Sequence, residues 1–372
     1  MDTLEGASAT ERRLMMLAEA RNIPLTGSME LLPLCNLNCK MCYVRLSRPE
    51  MEALGRMRTG KEWLELGRQM VQAGTLFLLL TGGEPLLHPD FKEIYRGLKK
   101  MGLVLTINTN ATLIDEDWAD FFAQDKPRRI NITLYGADNG TYKTLCGCAD
   151  GYDRVVRAVE LLRSRGVDVK LSGTITPANG ADLEGMLRTA EKLEVPMHME
   201  TYVMPAARER SRPFDQQNRL LPEEAAAAWI RGLRGAMGEE LFTRYRDAAL
   251  HRIDSFEPRQ PAPCTVSCHG GRCSFTVNWQ GMLRACVVLT EPEAPAFEMG
   301  FEAAWKQVSR EFLDSRYCAD CGACRLRGIC RVCAAAPVLE TGDSMARPDY
   351  LCRYASESER LLRAERRSPD GE

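Results

Sequence analysis

The chain lacks the features of a membrane, exported or nucleic-acid-binding protein. Its 372 residues contain no apolar stretch near the ~18 residues that a membrane-spanning helix needs. Lysine and arginine number 49 against 51 aspartates and glutamates, and no long basic run interrupts this balance. Residues 1–11 are polar and acidic, unlike a signal peptide. We therefore expect a cytoplasmic protein with no nucleic acid and no membrane among its partners.

Cysteine, in contrast, is abundant. The chain has 15 cysteines within an otherwise ordinary composition of 45% hydrophobic and 27% charged residues. A reducing compartment disfavours a framework of disulfides. Metal clusters are therefore the better explanation of so many thiols.

The first cysteine group has the spacing CxxxCxxC and comprises Cys35, Cys39 and Cys42. Three thiols at this spacing can bind three irons of a 4Fe–4S cube. Electron-transfer clusters are closed by four thiolates, so three thiols leave one iron open to an external ligand. Thiols at such spacing also bind zinc, which stays an alternative on this motif alone.

A second motif, Gly82-Gly83-Glu84-Pro85, follows about forty residues later, after the apolar run Thr75–Leu80. That run reads as a buried strand. Glycines just past its end allow backbone to approach a ligand closely, because they carry no Cβ. An ordinary strand-to-loop turn is the alternative for this motif taken alone.

Together the two motifs resemble those of the radical S-adenosylmethionine (radical SAM) enzymes. The resemblance implies that SAM binds the open iron and that its reductive cleavage gives a 5′-deoxyadenosyl radical. It also implies an aromatic residue before the third cysteine, where this chain has Met41. No general acid or base can be named. The SAM contacts implied are Gly82, Gly83, Glu84, Met41, Thr133 and Ser172.

Strand-like and helix-like segments alternate from Ser28 to about Val203. Six β/α units in this order predict an α/β fold with a parallel sheet and right-handed crossovers. The resemblance adds closure into a partial (β/α)6 barrel, whose sites gather at the C-terminal strand ends. The strands are expected at Ser28–Pro33, Thr75–Leu80, Val104–Asn108, Ile130–Leu134, Val167–Ser172 and Met197–Tyr202.

Five regions are expected along the chain. An N-terminal helical segment covers 1–27 and the partial barrel covers 28–203. Residues 204–260 form a helical bridging segment. A small cysteine-rich domain covers 261–355, and residues 356–372 form a C-terminal tail.

Ten cysteines lie between Cys264 and Cys352, and two closed 4Fe–4S clusters need eight. Their order resembles the SPASM extension of radical SAM enzymes, although CxxC pairs also bind zinc. Cys264 and Cys318 are not among the eight cluster ligands that the resemblance implies, and either could replace a neighbouring ligand. We expect Cys146 and Cys148, outside both groups, to be buried and inert. The resemblance implies auxiliary cluster I on Cys268, Cys273, Cys286 and Cys333, and auxiliary cluster II on Cys321, Cys324, Cys330 and Cys352.

The resemblance implies a radical SAM oxidoreductase with SAM and three 4Fe–4S clusters as cofactors. SPASM proteins mostly modify peptides, so the leading hypothesis is a maturase that crosslinks, oxidises or epimerises a precursor peptide. An anaerobic sulfatase maturase forming formylglycine is the runner-up, followed by a small-molecule SPASM enzyme. An iron–sulfur electron-transfer protein fits least, because it needs no open iron. An external donor such as flavodoxin or ferredoxin would supply electrons.

Overall fold

A computed structural model describes residues 8–205, 218–257, 268–316 and 318–366. Cys264 lies outside these ranges. Within them, one nine-stranded sheet runs through the molecule in the order β6-β5-β4-β3-β2-β1-β7-β8-β9. The strands are β1 Thr26–Glu30, β2 Phe77–Thr81, β3 Val104–Thr109, β4 Arg129–Thr133, β5 Val169–Thr174, β6 Met197–Glu200, β7 Ser274–Val277, β8 Met282–Arg284 and β9 Glu293–Pro295.

The first six strands pair in parallel in chain order, which confirms the predicted α/β fold. β7 pairs in parallel with the free side of β1, and β8 and β9 add antiparallel to it. The predicted first strand extended to Pro33, but β1 ends at Glu30. Beyond it the chain turns to contact the loop after β2, because Gly83 N donates to Leu32 O at 2.7 Å.

Helices connect the strands and cover one face of the sheet. In the barrel region they begin with capping residues such as Ser8, Thr59 and Asp115, whose side chains accept from backbone N–H groups of the first turn. The helices are α1 Ala9–Arg21, α2 Arg48–Leu54, α3 Gly60–Gln72, α4 Phe91–Lys100, α5 Glu116–Gln124, α6 Asn139–Cys146, α7 Gly151–Ser164, α8 Leu183–Lys192, α9 Pro222–Asp254, α10 Ala296–Met299, α11 Phe301–Asp314, α12 Ala319–Gly322, α13 Ala335–Thr341 and α14 Asp349–Arg366.

Alternate residues of the central strands differ sharply in burial. Leu105, Ile107, Ile130, Ile132 and Leu171 are buried in the core between sheet and helices. The residues between them are polar and only half-buried. Since side chains of a strand alternate between faces, one face packs against the helices and the other is a polar inner wall.

The bridging and C-terminal regions pack together. The bridging region contains α9, whose backbone is non-helical at Gly238. α14 packs along α9, with Tyr354 and Leu362 buried between them. It continues from Asp349 through Arg366 across the boundary expected near residue 355. No helix among the described residues is long and apolar enough to cross a membrane.

Candidate active site and cysteine clusters

The CxxxCxxC motif occupies the loop that follows β1. This loop is fastened to the end of α6, because the backbone N–H groups of Asn38 and Lys40 donate to the carbonyls of Cys146 and Leu145 at 2.9 and 3.0 Å. Cys42 N donates to Cys39 O at 3.1 Å and tightens the last turn of the motif. The fold therefore presents the three thiols from one anchored loop at the C-terminal end of a strand.

Hydrogen-bond donors surround the first and third thiols. The Sγ atom of Cys35 accepts from Leu37 N at 3.4 Å and from the Asn110 side chain at 3.6 Å. Cys42 Sγ accepts from Arg45 N at 3.3 Å. Burial raises the pKa of Cys35 to about 12, so this thiol must lose its proton when it binds a metal.

Cys39 has side-chain neighbours that the sequence did not reveal. Cys146 and Tyr135 both form side-chain hydrogen bonds with its thiol, and the bond to Cys146 is the main reason why the pKa of Cys39 is lowered. Cys146 is completely buried, as expected, but it is not isolated. Cys148 is half-buried, with its thiol 3.4 Å from Oδ1 of Asp150.

The Gly82-Gly83 loop lies against the backbone that leads into the cysteine motif. A Cβ on Gly82 would come within 2.5 Å of Leu32 O, and a Cβ on Gly83 within 2.3 Å of Leu34 O. Gly82 also has φ +150°, which favours glycine. The glycines are thus required because two loops of the site are in close contact. This reason adds to the one given by the sequence, that glycine lets a ligand approach the backbone.

Glu84 is the most buried charged side chain of the site. Its carboxylate accepts from Thr109 Oγ1 at 2.8 Å, from Asn110 N at 2.8 Å and from Leu86 N at 3.1 Å. Burial raises its pKa to about 7 despite these donors. Glu84 therefore links the loop after β2 to the end of β3.

The end of β3 also supports the cysteine loop. Asn110 donates to Asn36 Oδ1 at 2.9 Å, and Asn36 donates to Thr112 Oγ1 at 2.8 Å. Thr112 in turn donates to Asn110 Oδ1 at 2.6 Å. This closed network holds Asn36 beside Cys35, and so the polar residues after β3 position the motif.

The predicted SAM contacts Thr133 and Ser172 are neighbours, since they are register partners on β4 and β5. Both are half-buried on the inner wall. Ser172 is also paired with His198 on β6. Met41 is buried at 6% exposure and packs in the main core. The structure thus places two hydroxyls together at the strand ends and gives Met41 an apolar environment.

The inner wall continues into charged residues on β5 and β6. Asn131 donates to Asn108 at 2.9 Å, and Lys170 is the register partner of Asn131. Glu200 at the end of β6 accepts from Arg331 at 2.6 Å. Arg331 lies between Cys330 and Cys333, so the cysteine-rich region borders the open end of the inner wall.

Three of the four thiols predicted for auxiliary cluster I lie together. Cys286 interacts electrostatically with Cys333 and Cys268, and Cys333 with Cys268. Cys273, the fourth predicted thiol, is completely buried and interacts with both Glu19 and Cys268.

The thiols predicted for auxiliary cluster II also lie together, and Cys318 joins them. Cys321 forms a side-chain hydrogen bond with Cys318 and interacts with Cys352 and Cys330. Cys330 and Cys352 both interact with Cys324. Five thiols therefore lie near one another in this part of the fold.

These features define an enzyme with an iron–sulfur site at the C-terminal end of a parallel sheet. Residues 29–193 match the Radical SAM superfamily. Two anchored loops and three convergent thiols fit a 4Fe–4S cluster with an open iron, together with SAM. The match assigns a radical SAM domain to residues 29–193, and the protein is an enzyme that carries this domain.

Relatives by sequence include both heme synthases and a maturase. The AdoMet-dependent heme synthase of Methanosarcina barkeri is 25% identical over 346 residues, covering 90% of this chain and 97% of that protein. The mycofactocin maturase MftC of Mycobacterium ulcerans is 24% identical over 352 residues, covering 93% and 92%. At these identities the relatives leave the substrate open.

Solved structures share the fold. Native anSMEcpe with bound AdoMet superposes with a TM-score of 0.68 at 17% identity, covering 92% of this chain and 98% of that one. SuiB of Streptococcus suis bound to the precursor peptide SuiA gives 0.65 at 16% identity, covering 92% and 80%. The fold agreement confirms the architecture expected from the resemblance.

Proposed function

We propose that the protein is a peptide maturase that removes a hydrogen atom from a residue of a ribosomally made precursor. The observation that carries this proposal is the junction at Glu200 and Arg331, where the segment Cys330–Cys333 meets the polar inner wall. A substrate that enters here lies between the first cysteine site and the second cysteine region.

The site residues have separate tasks in this proposal. Cys35, Cys39 and Cys42 hold the 4Fe–4S cluster, while Gly82, Gly83, Thr133 and Ser172 line the place for SAM. When bound, this pair supplies the 5′-deoxyadenosyl radical. Glu84 fixes the loop that carries the glycines against β3.

The second cysteine region receives two further 4Fe–4S clusters in this proposal. Cys268, Cys286 and Cys333 belong to cluster I. Cluster II takes four of the five thiols near Cys321. Arg331, next to these thiols in sequence, contacts the inner wall at Glu200. A cluster held by Cys268, Cys286 and Cys333 would supply an acceptor for the electron of the substrate radical or a binding point for the substrate. Flavodoxin or ferredoxin is the proposed electron donor.

One relative and one solved structure support a peptide substrate to different degrees. MftC is a maturase that matches nearly the full chain. SuiB holds its precursor peptide in the same fold, although its identity of 16% shows the fold alone. A small-molecule substrate is the second candidate, favoured by the heme synthase that matches 97% of its own length.

Label transfer tests the two candidates. Reduced protein is incubated with SAM and either synthetic peptides from short reading frames beside the gene or Fe-coproporphyrin III. We expect a peptide that carries deuterium at the reacting carbon to accelerate formation of 5′-deoxyadenosine and to transfer the deuterium into it. The peptide should lose two hydrogens or keep its mass with one inverted centre. Turnover with the porphyrin and none with any peptide would reject the maturase.

A further inference from the structure

Cys273, His269 and Glu19 form a side-chain cluster outside the radical SAM site. One ligand atom from each residue lies within 4.8 Å of the other two. Nδ1 of His269 is 2.5 Å from Oε1 of Glu19, and Cys273 is completely buried. A thiol, an imidazole and a carboxylate thus converge on one point.

The backbone holds His269 and Cys273 in this arrangement. The carbonyl of His269 accepts from the N–H groups of Arg272, Cys273 and Ser274 at 2.9–3.1 Å, which makes a tight turn before β7. Thr26 N also donates to Cys273 O at 3.0 Å and ties the turn to β1. The two side chains therefore come from one rigid turn.

The third residue comes from a separately anchored element. Glu19 lies in the last turns of α1, and Asn22 just after this helix contacts Ser309 of α11 at 2.7 Å. Trp305 Nε1 donates to Asn22 O at 3.0 Å. Because α1 and the turn before β7 are both fixed, their three side chains meet in a defined geometry.

We propose that Glu19, His269 and Cys273 bind a divalent transition metal ion, with zinc as the favoured ion. Zinc takes thiolate, imidazole and carboxylate ligands at about 2.0–2.3 Å, usually in a tetrahedron. The thiolate and the carboxylate neutralise the dication. The side chains of His269 and Glu19 are 43% and 31% exposed, so water can complete the coordination.

Binding exchanges protons for the metal. The ion displaces the thiol proton of Cys273, which goes to solvent, and it replaces the hydrogen bond between His269 and Glu19. The ion then links α1 to the turn before β7. In this proposal Cys273 is not a ligand of cluster I, and Cys264 is the unassigned thiol nearest to Cys268 in sequence.

Metal analysis of the full-length, cluster-loaded protein tests the site. After addition of Zn²⁺ and removal of excess, the parent should hold about one zinc beside its iron. His269→Ala and Cys273→Ala should lose the zinc and keep the iron. Co²⁺ added instead should give thiolate-to-cobalt absorption that both variants lack.

Two controls make the result decisive. Cys148→Ala removes a thiol from another part of the surface and should keep both metals. Cys268→Ala should lose about four irons and keep the zinc. Loss of about four irons from Cys273→Ala would overturn the proposal, since Cys273 would then be a cluster ligand. Equal zinc in the parent and in His269→Ala would overturn it too.

Discussion

At the scale of single residues, the surroundings of Cys39 have a direct consequence for the first cluster. Hydrogen bonds to ligand sulfurs raise the reduction potential of an iron–sulfur cluster. Cys146 and Tyr135 both hydrogen-bond with the thiol of Cys39. Cys146 and Tyr135 would therefore tune the reduction potential of a cluster bound through Cys39.

Cys146→Ala and Tyr135→Phe should each make the potential of the first cluster more negative, because each removes one donor to the same sulfur. Potentiometric titration followed by electron paramagnetic resonance measures the change. Cys148→Ala is the matched control and should leave the potential at the parent value. A parent-like potential in both variants would show that neither side chain donates to the bound sulfur.

Glu84 predicts a pH dependence of stability. Its pKa rises from 4.5 to about 7 on folding because the carboxylate is buried. The unfolded chain therefore binds fewer protons than the folded protein between these values. The contribution of Glu84 to the free energy of unfolding is fully present below pH 4.5 and is lost as the pH rises through about 7.

Urea unfolding of the cluster-free protein at pH 5 and pH 8 should show this loss. Relative to Glu84→Gln, the parent should lose roughly 2–4 kcal/mol of unfolding free energy over this range. Glutamine keeps the shape and cannot ionise, so it isolates the contribution of the carboxylate. Equal pH slopes for the two proteins would contradict the burial of an ionisable group here.

At the scale of elements, the loop after β2 depends on its two glycines. Gly82→Ala and Gly83→Ala should each destabilise the fold, on the order of 2–4 kcal/mol, because the new Cβ meets the backbone oxygens of Leu32 or Leu34. Cluster loading should fall as well, since the same backbone leads into Cys35. Thermal unfolding and iron content measure both effects.

Gly180→Ala is the control for this pair, because a Cβ there would meet nothing within 4 Å. It should unfold at the parent temperature. If Gly83→Ala did the same and took up iron normally, the two loops could not be in the close contact that the structure shows.

A strand or helix was predictable where its own residues show a clear pattern of apolar and polar positions. The strands at Val104 and Ile130 alternate apolar and polar residues. Both were predicted within one residue of their bounds. Helix α6 has a weaker pattern and went unpredicted, as did its contact between Cys146 and Cys39. That contact joins residues over 100 positions apart, and no spacing in a single sequence encodes it.

The same limit explains the cysteine region. The family resemblance grouped Cys268, Cys273, Cys286 and Cys333, and Cys268, Cys286 and Cys333 interact with one another in the fold. It could not show that Cys273 faces Glu19, because Glu19 lies on the first helix and reaches the turn before β7 only through tertiary packing. The ion pair between Arg331 and Glu200 could not be predicted from the sequence for the same reason.

At the scale of the whole molecule, the account expects three 4Fe–4S clusters and about twelve irons after anaerobic reconstitution. Removing any of Cys321, Cys324, Cys330 or Cys352 should lower the iron by about four. Cys318→Ala should keep it near the parent value, because Cys318 is not among the four predicted ligands of cluster II. Loss of a whole cluster from Cys318→Ala would show that Cys318 is a ligand and that one of the neighbouring thiols is not.

The central claim is that Cys35, Cys39 and Cys42 hold a cluster that cleaves SAM. The most direct measurement is formation of 5′-deoxyadenosine from SAM under dithionite, by the parent and by the variant with all three cysteines replaced by alanine. The parent should form it, and the variant should form none while losing about four irons. If the variant still formed 5′-deoxyadenosine, the active site would lie elsewhere in the chain.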